Sequence, residues 1–178
     1  MPTAALQGTI DSASLDFLES LSVTWGIVPG NSGWSLRNGE GAGETQICSV
    51  GDNGVAVLNH PIDAFYDATT AEGWPFIVVE VWDKSMVGVK GFAGCGCAWI
   101  PPSSGKHAVD VHIWKPSSSG ADAFAEMLLP TVPDLKRLRE IVVSPYLRSA
   151  IQTESVGTVR VQINVTLFGF DSAGVRTD

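Results

Sequence analysis

The feature that most constrains the fold is the stretch from Gly73 to Pro102, which reads GWPFIVVEVWDKSMVGVKGFAGCGCAWIPP. β-Branched and aromatic residues fill its two arms, Phe76–Asp83 and Val89–Ile100, and the connector between them carries Lys, Ser and Gly. This pattern is typical of a long β-hairpin. The first arm is apolar on both faces except at Glu80, so we predict a central strand covered on both sides or the middle of a sandwich sheet.

The second arm places three glycines among aromatic and cysteine residues, at Gly91, Gly94 and Gly96. A glycine inside a strand weakens it and usually marks a β-bulge or a close approach by another backbone or a large ring. We therefore expect this arm to be bulged or closely crossed by a neighbouring element.

The rest of the chain also predicts β-structure, because its apolar runs are short and are interrupted by a total of 19 glycines and 10 prolines. A turn is expected at Asp11–Ser14 and a polar loop at Pro29–Gly43. The remaining predicted strands are Thr3–Ile10, Leu21–Val28, Glu44–Val50, Val55–Leu58, Ala64–Tyr66, His107–Trp114 and Thr158–Phe168. The sequence therefore predicts one all-β domain over residues 1–178, an antiparallel β-sandwich of about eight strands.

One or two short helices are expected in the C-terminal third of the chain. Ser118 or Ser119 is a suitable N-cap, apolar residues then recur at helical spacing as far as Leu129, and Pro130 ends the pattern. A second helix over Pro133–Glu140 is suggested by proline at its first turn.

Charge and cysteine content limit the partners and the compartment. The formal net charge is −8 with 11 basic residues and no basic cluster, which disfavours nucleic acid as a partner. Met1–Ile10 lacks the basic and apolar regions of a signal peptide, and no apolar run approaches membrane-spanning length. Three cysteines, with Cys95 and Cys97 separated by one glycine, favour reduced thiols in an intracellular protein.

No motif for catalysis, for a cofactor or for a small-molecule substrate is found. The Gly-Lys pair at Gly105 lacks the phosphate-loop spacing, and Cys95 and Cys97 are better interpreted as small buried hydrophobes than as zinc ligands. The sequence also lacks a nucleophile elbow and a His-x-x-x-His pair. We predict a protein that is not an enzyme, and we expect no cofactor and no metal.

Short motifs in a fixed order along the chain resemble one known family. They are Trp25-Gly26-Ile27, His60-Pro61-Ile62-Asp63, Gly73-Trp74-Pro75, Val81-Trp82, Ile100-Pro101, Gly105-Lys106-His107, Trp114-Lys115-Pro116 and the closing segment from Gly157 to Val175. Together they resemble the B9 domain, a ciliary branch of the C2-like β-sandwiches. The family pattern is not placed between Leu129 and Ser155.

The resemblance implies a non-enzymatic component of the ciliary transition zone, at the base of the axoneme above the basal body. It implies assembly with the other B9-domain proteins in the Meckel-syndrome complex, which restricts entry of membrane proteins into the cilium. The expected location is therefore cytoplasmic, at the cilium base.

Five residues are candidates for contact with a protein partner. Trp34, Trp74 and Trp114 lie in or beside loops, where aromatic anchors of an interface are found, and Ser103 and Ser104 lie in the turn that follows the hairpin. Core packing is the alternative interpretation for each tryptophan.

The alternative function is that of a calcium-dependent phospholipid-binding C2-type module. Such a site needs five or six oxygen ligands on loops at one end of the sandwich. The candidates are Asp63, Asp67 and Asp83, followed by Lys84 and Met86 where further aspartates would be needed. Three carboxylates beside a lysine form a poor calcium site. A weak membrane contact that needs no calcium also remains open, through Lys84, Met86 and Lys90 at the hairpin tip.

Overall fold

The computed structural model of the protein describes residues 1–16, 18–84, 91–117, 144 and 152–170. Every regular element in these ranges is a β-strand. The ten strands are β1 (Thr3–Leu15), β2 (Ser20–Val28), β3 (Trp34–Gly39), β4 (Ala42–Glu44), β5 (Cys48–Ser49), β6 (Ala56–Ala68), β7 (Phe76–Asp83), β8 (Gly91–Trp99), β9 (Gly105–Pro116) and β10 (Thr153–Phe168).

The strands form a curled antiparallel sheet in the order β3-β6-β1-β10-β9-β8-β7-β2-β4, with β5 added to β2. The two edge strands, β3 and β4, follow one another in the chain. β3 pairs with β6 at one edge of the sheet, and β4 pairs with β2 at the other. The connector between β3 and β4 is bonded to both sides: the Glu40 N–H donates to the carbonyl of Asp63, and the Ile27 N–H donates to the carbonyl of Gly41. The sheet therefore closes around one apolar core. This is the C2-like all-β sandwich that the sequence predicts.

The predicted central hairpin is confirmed. β7 and β8 pair from Phe76 opposite Trp99 to Asp83 opposite Gly91. Every β7 residue from Phe76 to Trp82 is at most 8% exposed, so this strand is buried on both faces. Residues of opposite parity lie on opposite faces of a strand, which explains why a nearly continuous apolar run was required here.

Two of the three hairpin glycines lie where β8 is crossed by β9. A Cβ on Gly96 would overlap the carbonyl oxygen of His112, and one on Gly94 would come within 2.9 Å of the carbonyl oxygen of Trp114. The register between β7 and β8 also shifts between Val81 and Trp82, which is a β-bulge. Both expectations, a bulge and a close backbone approach, are confirmed for this arm.

Two predictions about the N-terminal half are wrong. β1 continues through the expected turn at Asp11–Ser14 as far as Leu15, because a register shift between Ile10 and Ser12 absorbs the polar residues within the strand. The expected loop Pro29–Gly43 contains β3 and most of β4. The polar residues suggested a loop, but they belong to a strand whose residues after Trp34 are all exposed to solvent.

The strands predicted over His107–Trp114 and Thr158–Phe168 are present as β9 and β10, each somewhat longer than expected. Ten strands are described rather than about eight. β3 and most of β4 were not predicted, whereas the two strands predicted over Val55–Leu58 and Ala64–Tyr66 form the single strand β6. Both predicted helices lie outside the described residues, and the described residues contain no helix. Within those ranges, no helix could span a membrane.

Arg160 of β10 and Asp110 of β9 form an exposed cross-strand pair, with Nε and Nη2 donating to the two carboxylate oxygens at 2.7 and 2.9 Å. The hydrogen bond from Arg160 lowers the pKa of Asp110 below its ordinary value. We predict that Arg160→Gln raises the Asp110 pKa, as measured by NMR titration of the carboxyl carbon. Because the Asp110 pKa is lower in the folded state than in the unfolded state, its ionised form stabilises the fold at pH values above the ordinary pKa. This stabilisation is lost as the pH falls through the lowered pKa. An unchanged Asp110 pKa in the variant would contradict this assignment.

Candidate protein-binding surfaces

Trp34 and Trp74 belong to an aromatic cluster that closes one end of the sandwich. Their rings pack edge to face with centroids 4.9 Å apart, and Phe170 lies 6.1 and 6.2 Å from them. The Trp34 Nε1 donates to the carbonyl of Glu72 at 3.0 Å, and the Trp74 Nε1 donates to the carbonyl of Ile100 at 2.7 Å. Trp34 is 5% exposed and Trp74 is half-buried. Core packing therefore accounts for Trp34.

The other residues expected to contact a partner lie at two different ends of the molecule. Ser103 and Ser104 follow Ile100, next to the Trp34–Trp74 cluster, and the Ser103 carbonyl lies 2.8 Å from His107 Nε2. Trp114 lies in β9 opposite Cys95 and Ser155, towards the other end, and is half-buried. Trp34, Trp74 and the two serines thus lie at the same end of the sandwich, and Trp114 lies towards the other end.

The exposed tryptophan that the sequence did not single out is Trp99, at the end of β8. Its side chain is 66% exposed and packs edge to face on Phe76, with ring centroids 5.5 Å apart. Phe76 is itself 4% exposed and lies directly opposite in the hairpin register. A large aromatic ring held rigidly by a buried one, but open to solvent, has the character of an interface anchor. The alternation of side chains along β8 could have identified Trp99. This residue shares one face of the strand with Cys95 and Cys97, and that face lies outside the main core cluster.

The structure does not bring the three proposed calcium carboxylates together. Asp63 accepts a hydrogen bond from Gln7 and Asp67 accepts one from Thr3, both on β6, at 2.8 Å in each case. Asp83 instead ends β7, beside Gly91. Among the described residues, no three His, Cys, Asp or Glu side chains are placed to hold a metal ion. The strand register therefore places Asp67 and Asp83 at opposite ends of the sandwich, with Asp63 between them on β6.

Of the residues proposed for a membrane contact, Lys84 is among the described residues. The Lys84 Nζ lies 3.9 Å from Glu44 Oε1, and the backbone N–H of Lys84 donates to the carbonyl of Ser20. This ion pair ties the residue that follows β7 to β4, two strands away in the same part of the sheet. Met86 lies outside the described residues.

The buried side of β7 and β8 holds two ionisable groups, Glu80 and Cys95, which pair across the strands. Glu80 is 1% exposed and Cys95 is fully buried. Burial, and then the negative charge of Glu80, raise the pKa of the Cys95 thiol far above its ordinary value. The thiolate is the nucleophilic and metal-binding form, so Cys95 is chemically inert here. None of the three cysteines forms a disulfide.

The described strands thus form a C2-like β-sandwich that exposes the large aromatic ring of Trp99 at the end of β8. Comparison with known proteins gives the family. The family described as "B9-C2: Ciliary basal body-associated, B9 protein" matches residues 4–166. The chain therefore belongs to the B9 domain family, which is associated with the ciliary basal body and whose description names no reaction.

Relatives support this membership over nearly the whole chain. "B9 domain-containing protein 2" of Danio rerio is 31% identical over 158 residues, or 89% of each chain, and that of Homo sapiens is 31% identical over 169 residues, or 95% of each. "B9 domain-containing protein 1" of Xenopus laevis is 26% identical and covers 97% of this chain and 87% of its own. Among solved structures, a C2 domain of plant Extended Synaptotagmin 1 aligns with a TM-score of 0.45 at 10% identity, covering 93% of this chain and 95% of that one.

Proposed function

We propose that this chain is a non-enzymatic scaffold component of the ciliary transition zone. In this proposal it is a single B9 domain on the cytoplasmic side of the cilium base, where it assembles with the other B9-domain proteins of the Meckel-syndrome complex. The assembly would serve ciliogenesis and limit the entry of membrane proteins. Membership of a family associated with the basal body supports the location.

The observation that carries the assembly is the exposed ring of Trp99. Tryptophan is enriched among the residues that dominate binding energy, and binding costs less conformational entropy when a neighbouring side chain already supports the ring. Phe76 provides that support, and the Trp74 side chain and the Ser103–Ser104 turn lie beyond Ile100 at the same end of the molecule. We propose that this end, named here the Trp99 surface, contacts a second B9-domain protein. Relatives of two B9 types match this chain, which supports a partner of the same fold.

The proposal predicts a loss of binding in Trp99→Ala. The chain and the two other B9-domain proteins of its organism would be co-expressed, and complexes measured by size exclusion with light scattering and by titration of fluorescently labelled chain. We expect Trp99→Ala to weaken binding at least about 10-fold, because truncating an interface anchor typically costs about 2 kcal/mol or more. The matched control is Ile47→Ala, which is 62% exposed and lies next to β5, at the other end of β2. It should bind within about twofold of the unmodified chain.

Two different results would contradict the proposal, and each contradicts a different step of it. If the three unmodified proteins remain monomeric together at micromolar concentration, the scaffold function is wrong. If they form a complex that Trp99→Ala leaves intact, assembly stands and the Trp99 surface is not where it occurs.

A further inference from the structure

The first half of β9 has one hydrogen-bonded edge and one open edge. β10 pairs with β9 along its whole length, whereas β8 pairs with it only at Trp114. Among the residues that the structure describes, no strand pairs with the stretch Gly105–Val111 on the side away from β10. Unpaired backbone groups along the edge of a sheet are a template for pairing with another strand.

The backbone groups that face this open edge belong to alternate residues of β9. A Cβ on Gly96 of β8 would overlap the carbonyl oxygen of His112, so that oxygen points away from β10 and towards β8. Successive residues of a strand direct their N–H and C=O groups to opposite sides, and β9 keeps one register with β10 from here to its first residue. The backbone groups of Lys106, Ala108 and Asp110 therefore face the open edge.

The side chains of the same three residues carry a charge pattern that is symmetric about its centre. Lys106 and Asp110 are exposed and flank the exposed Ala108 at equal spacing on one face of the strand. Asp110 accepts two hydrogen bonds from Arg160, whereas Lys106 has no acidic partner in the described part of its own chain. The open stretch Gly105–Val111 is also centred on Ala108, so the charges and the available length share one centre.

We infer that this edge, named here the β9 edge, pairs with the β9 edge of a second copy of the chain. In an antiparallel pair with its twofold axis at Ala108, Lys106 of each copy lies opposite Asp110 of the other. Opposite charges placed directly across two strands attract each other. The three backbone pairs formed by Lys106, Ala108 and Asp110 would each exchange two hydrogen bonds, or about six in total.

The charge pattern also selects this register over its neighbours. An axis at His107 would place Lys106 opposite Ala108, and an axis at Val109 would place it opposite His112. Both shifts lose the two ion pairs, and pairing beyond His112 is obstructed by β8, which crosses there. A self-complementary patch of this kind is what a twofold interface between identical chains requires.

This inference goes beyond the proposed function, because it needs no other B9-domain protein and does not involve Trp99. Loss or retention of binding in Trp99→Ala would leave it unaffected. A single strand edge buries less surface than a standard interface, so we expect a weak dimer with a dissociation constant on the order of 10–100 µM.

The first test uses the unmodified full chain labelled with ¹⁵N. Sedimentation velocity between about 5 and 500 µM should show the mass rising from monomer towards dimer. Over the same concentrations, hydrogen exchange followed by NMR should show growing protection of the Lys106, Ala108 and Asp110 amides. The His107 and Val109 amides face β10, so their protection should not depend on concentration.

A pair of charge variants tests the register. Lys106→Asp and Asp110→Lys should each weaken self-association at least about tenfold, because each variant places two like-charge pairs across the strands. An equimolar mixture of the two should associate within about threefold of the unmodified chain, since both pairs are again of opposite charge in the mixed dimer. The matched control is Lys115→Asp, in β9 beyond the Trp114 pair, which should change self-association less than about twofold. Circular dichroism checks that each variant is folded.

Three results would overturn the inference. The chain could remain monomeric up to about 500 µM, in which case Lys106 would have the protective role that lysine often has on an exposed edge. A dimer could form without concentration-dependent protection of the Lys106, Ala108 and Asp110 amides, which would place its interface elsewhere. The mixture of charge variants could associate no better than either folded variant alone, which would exclude the register centred on Ala108.

Discussion

Gly96→Ala is expected to lower the free energy of unfolding by about 3 kcal/mol, measured by urea denaturation. The added methyl group would overlap the carbonyl oxygen of His112, which belongs to the backbone of β9 and cannot rotate away. Overpacking of a well-packed site costs about 1–3 kcal/mol, and the upper part of that range applies when backbone rather than a side chain must move. The two strands pair in register only at Cys95 and Trp114, one residue from the clash, so displacement would loosen the junction between the layers.

The same substitution at Gly91 is the matched control. It is the first residue of β8, and among the described residues an added Cβ there would meet the Asp83 side chain alone, whose Cβ would be 3.4 Å away, an ordinary van der Waals contact. Gly91→Ala should therefore change stability by less than about 0.5 kcal/mol. If both variants unfolded at the same urea concentration, the close crossing of β8 and β9 would not exist as described.

The hairpin and the sandwich were predictable because each leaves a local pattern in the sequence. In β10, Val159, Val161 and Ile163 are buried while Arg160 and Gln162 are exposed, so period-2 alternation reports the strand directly. In β7 the absence of alternation was equally informative, since only a strand buried on both faces can be continuously apolar. These signals depend on neighbours two residues apart and need no knowledge of the rest of the fold.

Features that depend on long-range pairing were not predictable. β3 carries mostly exposed polar residues, and it is a strand only because β6 supplies its hydrogen bonds. The bulge near Asp11 looked like a turn because the same polar residues favour both. The positions of the carboxylates posed the same difficulty: Asp67 and Asp83 both lie near strand ends, but the register that sends them to different ends of the sandwich is a property of the whole sheet.

The tryptophans show the same limit most clearly, because loop and strand assignments did not separate buried from exposed rings. Trp34 lies in a segment predicted to be a polar loop and is buried, whereas Trp99 lies in a predicted strand and is exposed. What decides each case is the element on the far side of the ring. Trp34 faces Trp74 and Phe170 across the end of the sandwich, and only one side of Trp99 is covered, by Phe76.

This difference predicts opposite effects for two identical substitutions. Trp34→Ala should lower the free energy of unfolding by about 3–5 kcal/mol, the cost of removing a large buried aromatic side chain and leaving a cavity. It also removes the donor to the Glu72 carbonyl and the edge-to-face contact with Trp74. Trp99→Ala removes a ring that is 66% exposed and should cost less than about 1 kcal/mol, chiefly through the contact with Phe76. Urea denaturation followed by circular dichroism measures both, because several tryptophans would complicate fluorescence.

The pair also tests whether stability and partner binding are separate in this molecule. Because Trp99 contributes little to folding, loss of binding in Trp99→Ala with stability retained would be attributable to its surface rather than to unfolding. A Trp34→Ala variant that lost less than about 1 kcal/mol would show that the aromatic cluster does not close the core. A Trp99→Ala variant that lost several kcal/mol would show instead that its ring is structural, and any effect on the assembly would then have no separate meaning.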